Sequence, residues 1–405
     1  MSNDHYPVRI GLQQALEIVA ARAAEHRLPV ERVALPDAHG RVLAEDLHAP
    51  IDLPPFANSA MDGFALRGAD LPAIGERAFE LAGEIMAGAA SAPRVHAGQC
   101  VRITTGAPMP VGADTVVIKE NVRVEGNRVI VRAGEKPGGN VRSAGEDFAH
   151  GSLALAAGTS LRAAQLGVLA ALGIAEVPVR RTLRAAVIAT GNELVPVEQP
   201  LGFGEIHDSH GTMLPALLRE SGAEIAVCLR VRDDPAMLRR ALLEAAADAD
   251  LVIGSGGVSA GEADHLPRVL AELGEIHFHK VRIKPGMPML FGRIGACLVF
   301  GLPGNPVSAA VTFRVFVRFT LRAMLGEAAP SVQRARLTGA IDKRHGRAEF
   351  LRCTLRCDEQ GVLWATPHPQ QGSHMLRGLA ESDVLVLLPE EARELPRGTV
   401  VTAWP

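Results

Sequence analysis

The alternation of apolar and polar positions divides the chain into stretches of different texture. Leu12 to about Glu25 carries Leu12, Leu16, Val19 and Ala23 at helical spacing, and Pro29 stops it. Val30 to Leu47 follows as extended chain around a turn at Asp37-Ala38-His39-Gly40. Between Phe79 and Val131, short alternating runs such as Cys100-Val101-Arg102-Ile103 and Thr115-Val116-Val117-Ile118 predict a small β domain. An alanine-rich helix from about Ala163 to Leu172 then rejoins the N-terminal segment, which makes the β domain an insertion.

From Leu183 the period changes. Ala185–Ala189, Glu224–Val231 and Leu251–Ile253 read as buried strands. Helices are expected over Thr212 to Ser221, with Gly222 just past its end, and from Asp234-Pro235 to about Ala247, with Asp as N-cap and Pro at the first position. A helix from about Asp264 to Leu273, strands near Ile276–Ile283 and Ala296–Phe300, and a long helix after Asn305-Pro306 complete the set. Strands alternating with helices specify a largely parallel, doubly wound α/β sheet, whose ligands lie beyond the carboxyl ends of the strands. After Pro330 the texture turns to β again, over Gln333–Ile341, Phe350–Cys357, Val362–Ala365 and Val384–Leu388, which predicts a small barrel or sandwich.

Composition narrows the class. A chain of 405 residues is too long for one ordinary core. Hydrophobic content of 47% with 21% charged residues describes a globular protein, and a net charge of -3 argues against nucleic-acid binding. The apolar stretch Leu153 to Ala175 is interrupted by Thr159, Ser160, Arg162 and Gln165, so no membrane span is expected. The first residues lack the basic and apolar regions of a signal peptide, and 5 scattered cysteines suit a reducing cytoplasm. Cys353 and Cys357 read as packing residues, because no second pair completes a zinc site.

The candidate chemistry gathers at the ends of the α/β strands. Leu251-Val252-Ile253 runs into Gly254-Ser255-Gly256-Gly257, where backbone N–H groups are able to converge on an anion. Glu262 and Asp264 follow, Glu193 comes after Thr190-Gly191-Asn192, Asp208 lies after Ile206-His207, and Asp233 and Asp234 follow Arg232. Each acid alone is a helix cap or a solvated residue; several on one rim suggest a divalent cation such as Mg²⁺. Lys280, Arg282 and Lys284 alternate, so they are expected on one strand face, which is either solvated or turned to an oxyanion. Gly301-Leu302-Pro303-Gly304-Asn305-Pro306 makes a rigid loop before a helix N-terminus, a further anion-friendly place. His207, His210, His277 and His279 read as surface or packing residues, and no covalent nucleophile is evident.

Together these residues resemble the molybdopterin molybdenumtransferases, whose eukaryotic relative is the E domain of gephyrin. The resemblance is carried by Pro55-Phe56-Ala57-Asn58-Ser59-Ala60-Met61-Asp62-Gly63-Phe64-Ala65 and by Arg102-Ile103-Thr104-Thr105-Gly106-Ala107. Thr190-Gly191-Asn192-Glu193-Leu194, the run from Ser255 to Asp264, and Gly301 to Ser308 continue it in the family's order. It implies four domains: an elongated segment (1–47 and 144–177), an inserted β domain (48–143), a molybdopterin-binding α/β domain (178–328) and a C-terminal β-barrel (329–405). A homodimer is also implied, with the inserted domain of one subunit facing the α/β domain of the other. The implied reaction is Mg²⁺-dependent and converts adenylylated molybdopterin and molybdate into molybdenum cofactor and AMP, with the molybdopterin adenylyltransferase as a candidate partner.

On that resemblance Asp62, Glu193, Asp234 and Asp264 serve Mg²⁺ and the phosphoanhydride, and Thr105 positions the nucleotide or phosphate. Ser255, Gly256, Gly257 and Ser259, with Pro303, Gly304 and Pro306, hold the pterin phosphate. Lys280, Lys284, Arg352 and Ser373 attract molybdate. Two departures stand out. Lys284-Pro285-Gly286-Met287-Pro288 replaces the family's Lys-Pro-Gly-Lys-Pro, and Asp208-Ser209-His210 replaces its Asp-Ser/Thr-Asn. The alternatives are a non-catalytic molybdopterin-binding scaffold, a paralogue with altered oxyanion preference, and a nucleotide-pyrophosphate hydrolase on the same α/β domain.

Overall fold

A computed structural model describes residues 6–258, 265–328 and 333–404. Its centre is a seven-stranded sheet in the order Val8–Ile10, Glu275–Val281, Leu290–Ile294, Cys297–Leu302, Leu251–Ser255, Arg184–Thr190, Glu224–Val231. Neighbours pair in parallel except around Leu290–Ile294, which is antiparallel to both strands beside it. The hydrophobic pattern did not reveal this strand, because Gly295 and the short hairpin to Cys297–Leu302 leave no polar gap to mark it.

Strand residues alternate between two cores, as a sheet covered on both faces requires. Ala185, Val187, Leu251 and Ile253 pack on one side, with helices Leu12–Glu25, His210–Glu220 and Pro306–Thr312. Ala186, Ile188 and Val252 pack on the other, against Pro235–Asp248 and Leu266–Leu273. The first strand and helix thus lie on the α/β sheet, where Leu12, Ala15, Val19 and Ala23 form the buried stripe. The long helix expected after Asn305 is continuous but passes through a π segment, Phe313–Val317, before Arg318–Leu325.

The insertion is a six-stranded sheet ordered Thr115–Ile118, Gly63–Leu66, Gln99–Ile103, Glu76–Ile85, Arg128–Arg132, Val122–Glu125. It buries both faces: Phe64, Leu66 and Phe79 on one, Ala65, Val101 and Val116 on the other. Val30–Ala34 pairs with Glu176–Arg180, which closes the segment flanking the insertion. The C-terminal strands form a closed five-stranded barrel, since Ala348–Cys357 pairs with both Leu363–Pro367 and Val384–Leu388. Ile283–Lys284 joins its edge in parallel with Ala348 and Glu349, tying the barrel to the α/β sheet. No described helix is long and apolar enough to cross a membrane.

Candidate active site

Arg184–Thr190, Leu251–Ser255 and Cys297–Leu302 run in parallel and end together, with Ala189 opposite Ser255 and Ser255 opposite Leu302. The turns that follow open a cleft of about 580 Å³. Glu193, Ser255, Gly256, Gly257, Pro303, Gly304 and Pro306 all line it, as expected. Gly256 has a φ of +91°, and a Cβ there would stand 2.5 Å from the Thr190 carbonyl oxygen. Only glycine lets the turn lie this close to its neighbour strand. A Cβ on Gly304 would lie 3.8 Å from the Gly256 Cα, so the two glycine loops pack against each other and form one wall.

The acids divide unequally. Asp208 and Asp233 join Glu193 in the cleft wall. Asp233 is fixed by reciprocal bonds with Asn192: the Asn192 N–H donates to its Oδ2 at 3.1 Å, and its own N–H donates to Asn192 Oδ1 at 3.2 Å. Asp208 Oδ1 accepts from the Gly211 N–H at 2.8 Å. Asp234 instead caps the next helix, its Oδ1 accepting from the Met237 N–H at 2.8 Å. Asp264, Ser259 and Glu262 lie outside the described residues. Among the described residues, no three His, Cys, Asp or Glu side chains come close enough to hold a metal ion.

Ser255 lines the cleft, but its hydroxyl is hydrogen-bonded to His210 Nδ1. His210 is buried, which agrees with the reading as a surface or packing residue, and it also lines the cleft. Burial holds its imidazole below the usual histidine range, so the ring stays neutral at pH 7. Its Nε2 is buried and has no hydrogen-bond partner.

Asp62 and Thr105 meet elsewhere. Gly63 pairs with Ile118 on one side and Ile103 on the other, which brings Asp62 beside Lys119 and Thr105. The Thr105 N–H and hydroxyl each donate to Asp62 Oδ1 at 2.9 Å, and Lys119 Nζ stands 3.4 Å from Oδ2. The Thr105 backbone bond, the Thr105 hydroxyl and Lys119 hold the carboxyl below its usual value, so Asp62 remains an anion. It lines a second cleft of about 350 Å³ with Arg102 and Lys119, apart from the one that Glu193 lines. Lys119 was not singled out in the sequence. Its role depends on strand register, which no local pattern announces.

Lys280, Arg282 and Lys284 alternate with the buried Val281 and Ile283, but they do not lie on one continuous strand. Lys280 has a φ of +65°, a left-handed conformation, and the strand ends at Val281. Arg282 pairs with Glu390 at 3.0 Å and Lys284 with the buried Glu349 at 2.8 Å. Arg352 is 1% exposed and donates to the backbone carbonyls of Gln370 at 2.6 Å and Gly372 at 3.2 Å. It thereby fixes the loop that carries Ser373, whose carbonyl accepts from the Val307 N–H at 3.2 Å. Ser373 therefore sits on the first turn of the helix that follows the Pro303–Pro306 loop. The thiols offer no nucleophile here: Cys100, Cys297 and Cys353 are buried and pushed up to about 12, burial also raises the Cys228 thiol, and Cys357 is exposed on the barrel.

Three family descriptions match in succession. Residues 10–173 match the MoeA N-terminal region (domain I and II), 186–323 a probable molybdopterin binding domain, and 334–405 the MoeA C-terminal region (domain IV). A molybdopterin molybdenumtransferase of Haemophilus influenzae is 37% identical over 379 residues, 93% of each chain. Molybdopterin molybdenumtransferase 2 of Mycobacterium tuberculosis is 38% identical over 383 residues, 92% of this chain and 94% of the other. The crystal structure of the molybdopterin biosynthesis MoeA protein of Pyrococcus horikoshii superposes with a TM-score of 0.84 at 30% identity, covering 98% of this chain and 99% of that one. With matches of this length over every part of the fold, the chain belongs to the molybdopterin molybdenumtransferase (MoeA) family of enzymes.

Proposed function

We propose that the chain inserts molybdenum in molybdenum cofactor biosynthesis, cleaving adenylylated molybdopterin, releasing AMP and passing molybdate to the dithiolene. One observation carries the reading: two glycine loops and the acids Glu193, Asp208 and Asp233 line a single cleft at the carboxyl ends of parallel strands. The names of the relatives support the same chemistry. Gly256, Gly257, Ser259, Pro303, Gly304 and Pro306 hold the pterin phosphate, with Ser255 fixing the turn beneath it.

The donor set suits Mg²⁺ as it is held beside phosphates, through one or two carboxylates, waters and the substrate's own oxygens. Glu193, Asp234 and Asp264 would supply the carboxylates, Asp234 through the oxygen its helix cap leaves over. Bound there, the ion supplies charge neutralisation at the phosphoanhydride. Asp62, with Thr105 bonded to it, joins the site from a second copy of the chain in a homodimer, because within one chain Asp62 lines a different cleft. Lys119 and Thr105 keep Asp62 ionised for that encounter. Lys280, Lys284, Arg352 and Ser373 form the oxyanion side, with Arg352 acting through the Gln370–Ser373 loop and Lys284 shared with Glu349. The proposed compartment is the cytoplasm, whose reducing conditions suit the 5 scattered cysteines.

The direct test is purified protein with adenylylated molybdopterin, molybdate and Mg²⁺, monitored for AMP. Mg²⁺-dependent AMP release with molybdenum retained on the pterin supports the reading. Tight pterin binding without AMP release establishes the scaffold reading, which the engagement of Lys284 and Arg352 by protein partners favours.

A further inference from the structure

A third cleft, about 320 Å³ in volume, lies between the segment flanking the insertion and the α/β sheet. Six arginines line it against two glutamates, in a chain whose net charge is -3. Arg41, Arg162 and Arg180 come from the flanking segment, and Arg219, Arg318 and Arg322 from helices of the sheet. We propose that this cleft is a binding site for a phosphate-bearing small anion, separate from the transfer cleft.

The two clefts sit at opposite ends of one helix. His210 begins His210–Glu220 at the transfer cleft, and Arg219 and Glu220 end it at the arginine cleft, about 15 Å away at 1.5 Å per residue. An anion small enough for one cleft therefore does not reach the other.

The cations are crowded, six guanidinium groups to two carboxylates. Arg314, Arg318 and Arg322 recur every four residues, and like charges at that spacing repel. Burial lowers the Arg318 guanidinium, and the repulsion of Arg322 and Arg314 lowers it further. Glu327 offsets part of this, standing 3.3 Å from Arg322 while also accepting from the Ser160 hydroxyl at 3.0 Å. Arg41 is paired with Glu31 and donates to the Arg180 carbonyl at 2.8 Å; Arg180 in turn donates to the Leu28 carbonyl at 3.0 Å. These bonds hold the guanidinium groups in place before any ligand arrives. Arg162 and Arg219 are exposed at the rim. A concave wall of one charge focuses the field on an anion, and guanidinium forks match phosphate oxygens in pairs. Thr182 adds a hydroxyl to the lining, whereas the Ser221 hydroxyl donates to the Leu217 carbonyl at 2.8 Å.

Inorganic phosphate and pyrophosphate are the probes. Calorimetric titration of the full chain at low salt should show binding that weakens as salt rises. Arg162→Glu with Arg219→Glu should weaken pyrophosphate binding by about tenfold or more, because two charge-assisted contacts are lost. In the unaltered chain, pyrophosphate should shield Arg162, Arg219 and Arg322 from phenylglyoxal, read by peptide mass spectrometry. Unchanged affinity in the correctly folded double variant, or shielding confined to residues of the transfer cleft, overturns the proposal. So does a change of oligomeric state in the double variant with pyrophosphate affinity intact, since the cleft would then be a contact between copies. Binding of phosphate alone identifies a single-phosphate site; a preference for pyrophosphate identifies a site for polyphosphates.

Discussion

The cleft around Glu193 and the rim around Asp62 both carry candidate site acids, but they are built in opposite ways. The first is concave and assembled from strand ends, with its acids fixed by backbone and amide groups: Asp233 by Asn192, Asp208 by Gly211. The second is exposed, and its one acid is already matched with a cation, Lys119, and a hydroxyl, Thr105. A phosphate-binding wall benefits from rigidity before the ligand arrives. On the proposed homodimer, an acid supplied by a neighbouring subunit must instead stay charged while it is still in water. Within one chain the two sets of residues lie far apart in sequence and in separate clefts.

Asp62→Ala breaks the comparison most severely. AMP release should fall on the order of 10²-fold or more, as when one preorganised electrostatic group is lost, while molybdopterin binding changes little. Equilibrium binding beside single-turnover AMP release measures the two separately. On the cleft side, Gly256→Ala places a Cβ 2.5 Å from the Thr190 carbonyl oxygen at a φ of +91°. It should cost about 1–3 kcal/mol in denaturant unfolding and weaken pterin binding with it. Asp234→Ala removes the helix cap and should cost about 1 kcal/mol, whereas Asp234→Asn keeps the cap. Activity lost in Asp234→Asn at unchanged stability therefore reports the charge alone.

The smallest effect concerns pH. His210 has its folded-state pKa lowered by burial, so the unfolded chain takes the proton more readily. Stability should fall as pH drops below the ordinary histidine range, until the folded ring itself is protonated. Between about pH 7.5 and about pH 5.5 the Tm of His210→Asn should fall less than that of the parent. His277 and His345 are lowered as well and remain in both proteins, so only the difference in slope is informative.

Legibility in the sequence followed the range of the interactions. Asp234-Pro235 announced a helix start, and the structure caps Pro235–Asp248 there, because a cap is decided within four residues. The glycine turn and the Pro303 loop were found because topology puts every parallel strand end on one rim. Lys119 was missed because its partnership with Asp62 exists only through the pairing of Gly63 with Ile118. The period-two exposure of Lys280, Arg282 and Lys284 was legible, but the ion pairs of Arg282 with Glu390 and Lys284 with Glu349 were not, because both partners come from distant segments. His210 was noted as a departure, but its bond to Ser255 was not legible, because the serine lies on a strand 45 residues away. The arginine cleft was invisible for the same reason, its residues being spread from Arg41 to Arg322.

The central claim is that Asp62 of one copy completes the Glu193 cleft of another, and subunit mixing tests it most directly. Asp62→Ala and Glu193→Gln are each expected to be inactive, and an equimolar mixture is allowed to exchange subunits before AMP release is measured. A shared site leaves one intact centre in each mixed dimer, so about a quarter of the parent activity should return. A mixture as inactive as its two components would contradict the account.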